Sequence, residues 1–367
     1  MKSVKTLKFK LIPLTAKDKE LLDYLLEEYE EYNEIINKLL LISKYSRIYL
    51  KPSKKKLHEL TYELIRERSD LHSNHITSAR DRVIEMIKTS KYHKVFPEPD
   101  RVPVRLFRNK TYQIHDNKVK IAIKPKVYAE GLLLGNDSWF GLLNLAKGAE
   151  LIKKDEEYYF HVILTRKYDN YDPKYIIGID TNLYNLTLAC IRINEEIEVI
   201  ATHIINFDYV YGLRLYFRNK RAYLQSIGRN IRHEEKNVIR NEIEKISNEV
   251  LKFIKPYDCI VGIESLSGVR KKLINIARAK HVRYLYSSFF YNNLLKRIKE
   301  KLEWNGYKVL EVNPYKTSTT CYKCNCIGYR NGEVFECKNC NLKINVHINA
   351  SINIAKRALK SEVSTRR

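Results

Sequence analysis

The sequence predicts a multidomain α+β chain: an N-terminal β-barrel with a helical insertion, then an α/β domain that carries a four-cysteine ribbon. Three observations predict it. Short segments of period-2 apolar patterning fill positions 102 to 165, as half-buried strands require. Two nearly wholly apolar strands, "YIIGID" and "CIVGIE", stand among helical stretches in the second half, as buried strands of an α/β sheet do. Five of the seven cysteines crowd between positions 321 and 340. At 367 residues the chain is long enough for two cores.

Charge narrows the partner. The chain has 67 Lys and Arg against 43 Asp and Glu, a formal charge of +24. A charge of that size over most of the chain points to a polyanion, nucleic acid being the commonest. The alternative is a thermophile's lysine-rich surface, which usually comes with matching glutamate. No apolar run approaches the ~20 residues a membrane span needs. The opening "MKSVKTLKFKLIP" alternates charged and apolar residues instead of building a signal-peptide core. The expectation is a cytoplasmic, nucleoid-associated prokaryotic protein with no membrane partner.

The elements follow in order. In "KTLKFKLIP", Leu7, Phe9 and Leu11 alternate with Lys8 and Lys10, a strand with one basic face. Thr15 and Asp18 form a capping-box pair opening a helix whose apolar face is Leu21, Leu22, Leu25, Tyr29 and Tyr32. A second helical block runs from about 57 to 86, interrupted by "SDLHSNH". "VPVRLF", "KVKIAI" and "YYFHVIL" read as barrel strands, with "KKDEE" a hairpin turn before the last. Stripes such as "IKPKVY" suit phosphate tracking, but each alone reads more readily as an ordinary solvated face.

A boundary falls near "YDNYDPKY". Beyond it come strands "YIIGID", "LTLACIRI" and "EVIATHII", a long helical stretch from about 213 to 254, and strand "CIVGIE". A basic segment, a helix around 285 to 304 and strand "YKVLEV" complete the half. Three strands, helix, strand, helix, strand is the chain order of an RNase H-like sheet.

Asp180 ends one apolar strand and Glu264 the other. Side chains beyond the C-terminal ends of strands line the crevice of an open α/β sheet. If the two strands are parallel neighbours, their carboxylates converge, and converged acids hold Mg²⁺ for phosphodiester cleavage. Either acid alone reads as well as a cap on loop amides. Cys321-x₂-Cys324, twelve residues, then Cys337-x₂-Cys340 supplies four thiolates for a closed, structural Zn²⁺ site with no open catalytic position. Cys326 is spare, and Cys190 and Cys259 lie in apolar strands as core residues. Between 268 and 283, "GVRKKLINIARAKHVR" carries six Lys and Arg residues, Arg270, Lys271, Lys272, Arg278, Lys280 and Arg283. These suit nucleic-acid phosphates, as does the run "YFRNKRAYLQSIGRNIRHEEK", though a solvated helix face explains either. Tyr284, Tyr286, Phe289 and Phe290 read as core at helical spacing more than as base-stacking groups.

The blocks "GIDTNLYNLTLA", "IVGIESLSGVRKK", "NPYKTSTTCYKCN" and "CNLKINVHINASINIA" resemble the C-terminal blocks of TnpB, the OrfB protein of insertion sequences, a family ancestral to type V CRISPR effectors. The opening residues resemble its N-terminus. The resemblance implies a guide RNA and target double-stranded DNA as partners, and a RuvC-like nuclease domain. It places a wedge-like barrel with a helical recognition insertion at 1–170, and the RuvC-like RNase H-fold domain at 171–320 and 341–360. The zinc ribbon falls at 321–340 and a tail at 361–367. Asp180 and Glu264 match the first two catalytic acids, with Mg²⁺ or Mn²⁺ as catalytic ion. The four cysteines match the zinc ligands.

The third acid is missing. The family has an aspartate two residues before "NA", where this chain has His347, and no Asp or Glu lies between Glu336 and Glu362. "ESLSG" for "EDL" and Asn182 for glycine are smaller departures. Three readings follow. His347 serves as a substitute metal ligand in an active RNA-guided endonuclease, an imidazole suiting Mn²⁺ better than Mg²⁺. Alternatively, cleavage is weakened or lost and guided DNA binding is kept. In the third, the element has decayed and His347 only starts a helix. Charge balance favours the last two, because losing a carboxylate removes a negative ligand. A guide-independent DNA-binding protein is a further alternative.

Overall fold

The computed structural model describes residues 2–41, 53–93, 102–168, 172–192, 197–229, 234–265 and 290–366. The chain divides into two compact units, Lys2–Lys167 and Tyr168–Arg367.

The first unit is built on a seven-stranded antiparallel sheet in the order β2-β6-β7-β1-β5-β4-β3. Its strands are β1 (Lys2–Pro13), β2 (Val104–Phe107), β3 (Tyr112–His115), β4 (Lys118–Lys124), β5 (Val127–Leu134), β6 (Ala146–Lys154) and β7 (Glu157–Lys167). The two edge strands, β2 and β3, are consecutive in the chain, and an Arg108–Tyr112 bridge lies at their junction. A sheet whose edges are tied by so short a link must curl, and it forms a nearly closed barrel. Leu7, Phe9 and Leu11 point inward and are at most 2% exposed, as the alternation predicts. Leu7 and Phe9 stand opposite Val162 and Phe160 on β7, both fully buried, as are Leu106 and Leu151 on the neighbouring strands. The β6–β7 turn is the predicted one. Asp155 and Glu156 both have positive φ, 52° and 60°, the geometry of a two-residue hairpin that matches strand twist.

Among the described residues, three helices lie between β1 and β2: α1 (Ala16–Leu41), α2 (Lys54–Arg66) and α3 (Ser73–His93). The capping box is present. Thr15 N–H donates to Asp18 Oδ2 at 3.0 Å, and Asp18 N–H donates to Thr15 Oγ1 at 3.1 Å. The α1 face of Leu22, Leu25, Tyr29 and Tyr32 is buried, with Leu21 half-buried at its margin. Asn33 Nδ2 ties α1 to the Ala79 carbonyl of α3 at 3.0 Å.

The second unit has a five-stranded sheet in the order β10-β9-β8-β11-β12. Its strands are β8 (Tyr175–Thr181), β9 (Asn185–Arg192), β10 (Glu198–Asn206), β11 (Cys259–Glu264) and β12 (Val309–Val312). β8, β9 and β10 are antiparallel neighbours, while β8, β11 and β12 run parallel. The helical stretch expected over 213–254 is two helices, α4 (Asp208–Ser226) and α5 (Glu234–Ile254). The first stops before Gly228, which takes φ +68°, a conformation that ends helices. Next come α6 (Phe290–Trp304) and α7 (Val346–Arg366). The tail expected over 361–367 is helical as far as Arg366. The α7 register buries Glu362 and pairs it with Lys308 at 2.6 Å, which holds the last turns down.

Each face of this sheet buries its own core. Ile177, Ile179, Leu188, Cys190, Cys259 and Val261 pack under α5 and α6, while Ile176, Ala189 and Ile191 pack under α7. The alternation of Ile176 and Ile177 between faces is the period-2 rule at work. Cys190 and Cys259 are core residues, as expected. Phe290 joins the same core, whereas Tyr284, Tyr286 and Phe289 lie outside the described residues.

Between β12 and α7 sits a small antiparallel sheet of β13 (Tyr329–Asn331), β14 (Val334–Glu336) and β15 (Lys343–Asn345). Gly332 takes φ +60° in the Asn-Gly turn that joins β13 to β14. Among the described residues no helix is long and apolar enough to cross a membrane.

Candidate functional site

The sheet itself brings the two acids together. β8 and β11 pair in parallel with Cys259 opposite Tyr175 and Ile263 opposite Ile179, an offset that sets Glu264 beside Asp180. Pleat parity puts both on one face. Gly178 and Asp180 are two apart on β8, as Gly262 and Glu264 are on β11, and Gly178 pairs with Gly262.

The glycines decide what covers that face. A Cβ on Gly178 would lie 1.9 Å from the Ser351 carbonyl oxygen, and one on Gly262 would lie 2.8 Å from the Ala358 Cβ. Backbone and small side chains of α7 therefore rest directly on the paired glycines. This close seating lays the first turn of α7 across the end of β8, where Asp180 is. Asn345 opens the helix, its Oδ1 accepting from the N–H groups of His347 (2.9 Å) and Ile348 (3.3 Å).

His347 is the second residue of α7, and its Nδ1 lies 3.1 Å from Asp180 Oδ2. Asp180 is 6% exposed, and its Oδ2 also accepts from Asn182 Nδ2 at 2.8 Å. Glu264 Oε1 accepts the Thr317 hydroxyl at 2.8 Å. Burial, and then the neighbouring Asp180 carboxylate, push the Glu264 carboxyl up to about 7, against the pull of the Thr317 hydrogen bond and the Arg357 charge. Asp180, His347 and Glu264 thus lie along one end of the sheet, but among the described residues the group of three or more possible ligands with donor atoms all within 4.8 Å of one another is the four cysteines, not these three.

The sequence did not single out Thr317 or the clamps of α7. Asn349 is fully buried, donating to the Thr320 carbonyl (2.8 Å) and accepting from Tyr322 N–H (3.0 Å). Asn353 donates to the carbonyls of Thr317 (2.9 Å) and Thr320 (2.7 Å). Lys356 reaches the Tyr322 carbonyl (2.6 Å), and Arg357 the Asn313 and Tyr315 carbonyls. Asn349, Asn353, Lys356 and Arg357, polar residues at helical spacing, were the available signal.

The four cysteines form the second cluster. One ligand atom from each of Cys321, Cys324, Cys337 and Cys340 lies within 4.8 Å of the others. The Cys321–Cys340 and Cys324–Cys337 sulfur separations are 3.6 and 3.4 Å. Sulfurs bound tetrahedrally at ~2.3 Å to one zinc ion stand about 3.8 Å apart, so the set fits that ion with a small expansion. The Cys326 backbone amide holds the Cys324 thiol down to about 6, toward the thiolate a metal needs. Cys326 itself is exposed and outside the group.

Arg270, Lys271, Lys272, Arg278, Lys280 and Arg283 lie outside the described residues. In the other basic run, Lys220 pairs with Glu234 at 2.7 Å and Arg221 with Glu235, so part of its charge is met within the protein. Lys124 of "IKPKVY" is likewise committed to Asp70 at 2.5 Å.

Comparison with known proteins adds independent information. The family model described as Cas12f1-like, TNB domain matches residues 291–354. A TnpB-like protein of Methanocaldococcus jannaschii is 24% identical over 268 residues, covering 67% of this chain and 93% of that protein. The CRISPR-associated endodeoxyribonuclease Cas12f1 of an uncultured archaeon is 31% identical over 118 residues, covering 30% of this chain but 22% of its own length. Among solved structures, the Cas12f1–sgRNA–target DNA complex superposes with a TM-score of 0.60, covering 92% of this chain and 81% of the matched chain. At 16% identity this last likeness speaks to fold alone. The chain is thus similar to a TnpB-like protein over two thirds of its length and to Cas12f proteins over its C-terminal part, and it shares the mixed α/β fold of the Cas12f1 chain.

Proposed function

We propose that the protein is a TnpB-like, RNA-guided DNA-binding protein of an insertion sequence, with an RNase H-like, RuvC-like nuclease site whose cleavage is weakened by His347. One observation carries the reading: Asp180 and Glu264 lie in register on adjacent parallel strands, and the first turn of α7 brings His347 to the same edge. The order of antiparallel and parallel strands in the second sheet supports the RNase H-like assignment. The matched complex contains an sgRNA and target DNA, and the likeness to a TnpB-like protein supports the same classes of partner here. Guide pairing then supplies sequence specificity while the protein holds the heteroduplex by its backbone. In this reading residues 1–170 grip guide and target, 171–320 with 341–360 form the nuclease domain, and 321–340 hold a structural zinc ion. Arg270, Lys271, Lys272, Arg278, Lys280 and Arg283 follow directly on the Glu264 strand and neutralise phosphates.

In the nuclease role Asp180 and Glu264 would hold a divalent ion, which would supply Lewis-acid activation of water and phosphate. Thr317 and Asn182 fix the rotamers of the two acids by the hydrogen bonds above. A second reading, an active enzyme in which His347 is itself a ligand, is favoured by the 3.1 Å approach of its Nδ1 to Asp180. Sequencing the RNA that co-purifies, then offering a guide-matched duplex with Mg²⁺ or Mn²⁺, tests both. A guided mobility shift unchanged in Asp180→Ala, with little cutting, supports weakened cleavage. Cutting abolished by Asp180→Ala supports the active enzyme. Absence of any discrete RNA refutes guided binding and leaves a guide-independent DNA-binding protein.

A further inference from the structure

Helix α4 meets the rest of its unit along a narrow strip. Its buried side chains are Val210 and Phe217, and the opposite side of the helix is exposed. Six of the exposed residues recur at alternating intervals of three and four: Tyr209, Gly212, Tyr216, Asn219, Tyr223 and Ser226. That spacing is the seam of a two-helix coiled coil, which keeps one stripe turned to a partner helix. The three tyrosines are 48%, 56% and 65% exposed, and the seam carries no charge in a chain that is 30% charged. Large and small residues alternate along it. Laid antiparallel against itself, the seam sets each tyrosine over a small residue: Tyr209 over Ser226, Tyr216 over Asn219, and Tyr223 over Gly212. We infer that α4 is a self-association surface, whose partner is the antiparallel α4 of a second copy of this chain.

Symmetry, charge and area all favour this occupant. The pairing uses the same patch on both copies, as a closed two-fold dimer requires. It brings Asp208, in the first turn of one helix, toward the end of the other, where Arg229 follows the last turn. Helix ends of opposite partial charge meet in the same arrangement. Lys220, beside the seam near the two-fold axis, already has its charge met by Glu234 at 2.7 Å. About 120 Å² stays exposed on each tyrosine, so six tyrosines supply roughly 700 Å². Leu215, Ala222 and Ile227, with the small residues of the seam, carry the total past the ~1,000 Å² of a specific interface. A nucleic acid is the poorer fit. Arg214, Arg218 and Arg221 lie about 130–170° round the helix from the seam, so a polyanion drawn to their charge would not meet the tyrosines.

Such a dimer depends neither on guide RNA nor on cleavage. The experiment uses the zinc-loaded full chain, treated with nuclease and held in ~0.5 M salt, which strips polyanions and screens the +24 charge. Sedimentation equilibrium from about 1 to about 100 μM chain should show a monomer–dimer equilibrium with its dissociation constant in that range. Gly212→Tyr tests the register. A Cβ at Gly212 meets nothing within 4 Å in its own chain, so the monomer keeps its fold, but in the dimer the added ring meets Tyr223 of the second copy. Association should weaken at least ~10-fold, and adding Tyr223→Ala should recover most of that loss, because the large and small members have changed places. Tyr216→Lys, at an exposed position, should abolish the dimer and leave the circular dichroism spectrum unchanged. A chain that stays monomeric up to ~100 μM, a dimer that Gly212→Tyr leaves intact, or a loss that Tyr223→Ala does not recover overturns the inference. A monomer whose affinity for a single-stranded oligonucleotide falls in Tyr216→Ala overturns it in favour of a nucleic-acid surface.

Discussion

Replacing Glu264 with Gln should stabilise the protein when the sheet edge holds no divalent ion. Burial and Asp180 raise the Glu264 carboxyl from its ordinary 4.5 to about 7. The folded state therefore binds more protons than the unfolded state between those values, and stability falls as pH rises through that window. Above pH 7 the whole penalty is present; below about 4.5 it is absent. A displacement of about 2.5 pH units corresponds to a ceiling of about 3.4 kcal/mol. Glu264 is only half-buried, so solvent screening reduces this to about 1–2 kcal/mol. Glutamine keeps the oxygen that accepts from Thr317 and loses the charge that Asp180 repels.

The assay is thermal unfolding of zinc-loaded wild type and Glu264→Gln, dialysed free of Mg²⁺ and Mn²⁺, at pH 5, 6, 7 and 8. For a unit of this size, 1 kcal/mol moves the midpoint by about 2–4 °C. The variant should melt about 2–8 °C higher at pH 8, with the gap closing toward pH 5. Adding Mn²⁺ should raise the wild type and leave the variant nearly unmoved, because a cation cancels the same repulsion. A variant no more stable at pH 8, together with a wild-type midpoint that is flat from pH 5 to 8, would refute the convergence of the two acids.

Three further outcomes are expected. Gly178→Ala sets a methyl group 1.9 Å from the Ser351 carbonyl oxygen and should cost on the order of 3 kcal/mol in urea unfolding, whereas Gly141→Ala, with nothing within 4 Å, should be nearly silent. Asp155→Asn with Glu156→Gly places the favoured pair at two positive-φ positions and should raise stability by about 0.5–1 kcal/mol, read from the same unfolding curves. Cys337→Ser should lower bound zinc from one ion per chain, measured by mass spectrometry, and open the ribbon to proteolysis between 323 and 345.

Much of this was legible in the residues, and where it failed the reasons are physical. β1 and its capping box were readable because alternation and a Thr–Asp pair are local signals. The paired apolar strands were visible too, but their register was not. It follows from long-range pairing and from α7 needing both glycines beneath it. Strands β5 and β6 escaped notice because lysines, glutamates and glycines interrupt their alternation, and β3 because its four residues are too few to show a period. The break between α4 and α5 was hidden by continuous helix-forming composition, with Gly228 the one local cue. Thr317 was unreadable as a partner of Glu264, since a loop threonine carries no periodicity.

The clamps of α7 link the acid pair to the four-cysteine group in a way neither shows alone. The loop from Thr317 to Cys321 starts at the residue that orients Glu264 and ends at a member of the four-cysteine group. Its carbonyls at Thr317 and Thr320 accept from Asn353 and Asn349, which lie within the first two turns of α7 after His347. The cysteine group is therefore mechanically tied to Glu264, because loosening Cys321 frees the loop that carries Thr317. Asn349→Ala tests this link. It removes a fully buried side chain's hydrogen bonds to Thr320 and Tyr322, leaves every proposed metal ligand in place, and should cost about 1–3 kcal/mol. If the loop transmits order, the variant should also weaken Mn²⁺ binding at the sheet edge several-fold while retaining its zinc. Unchanged Mn²⁺ affinity in a destabilised variant would show that the ribbon and the acids are neighbours without being coupled.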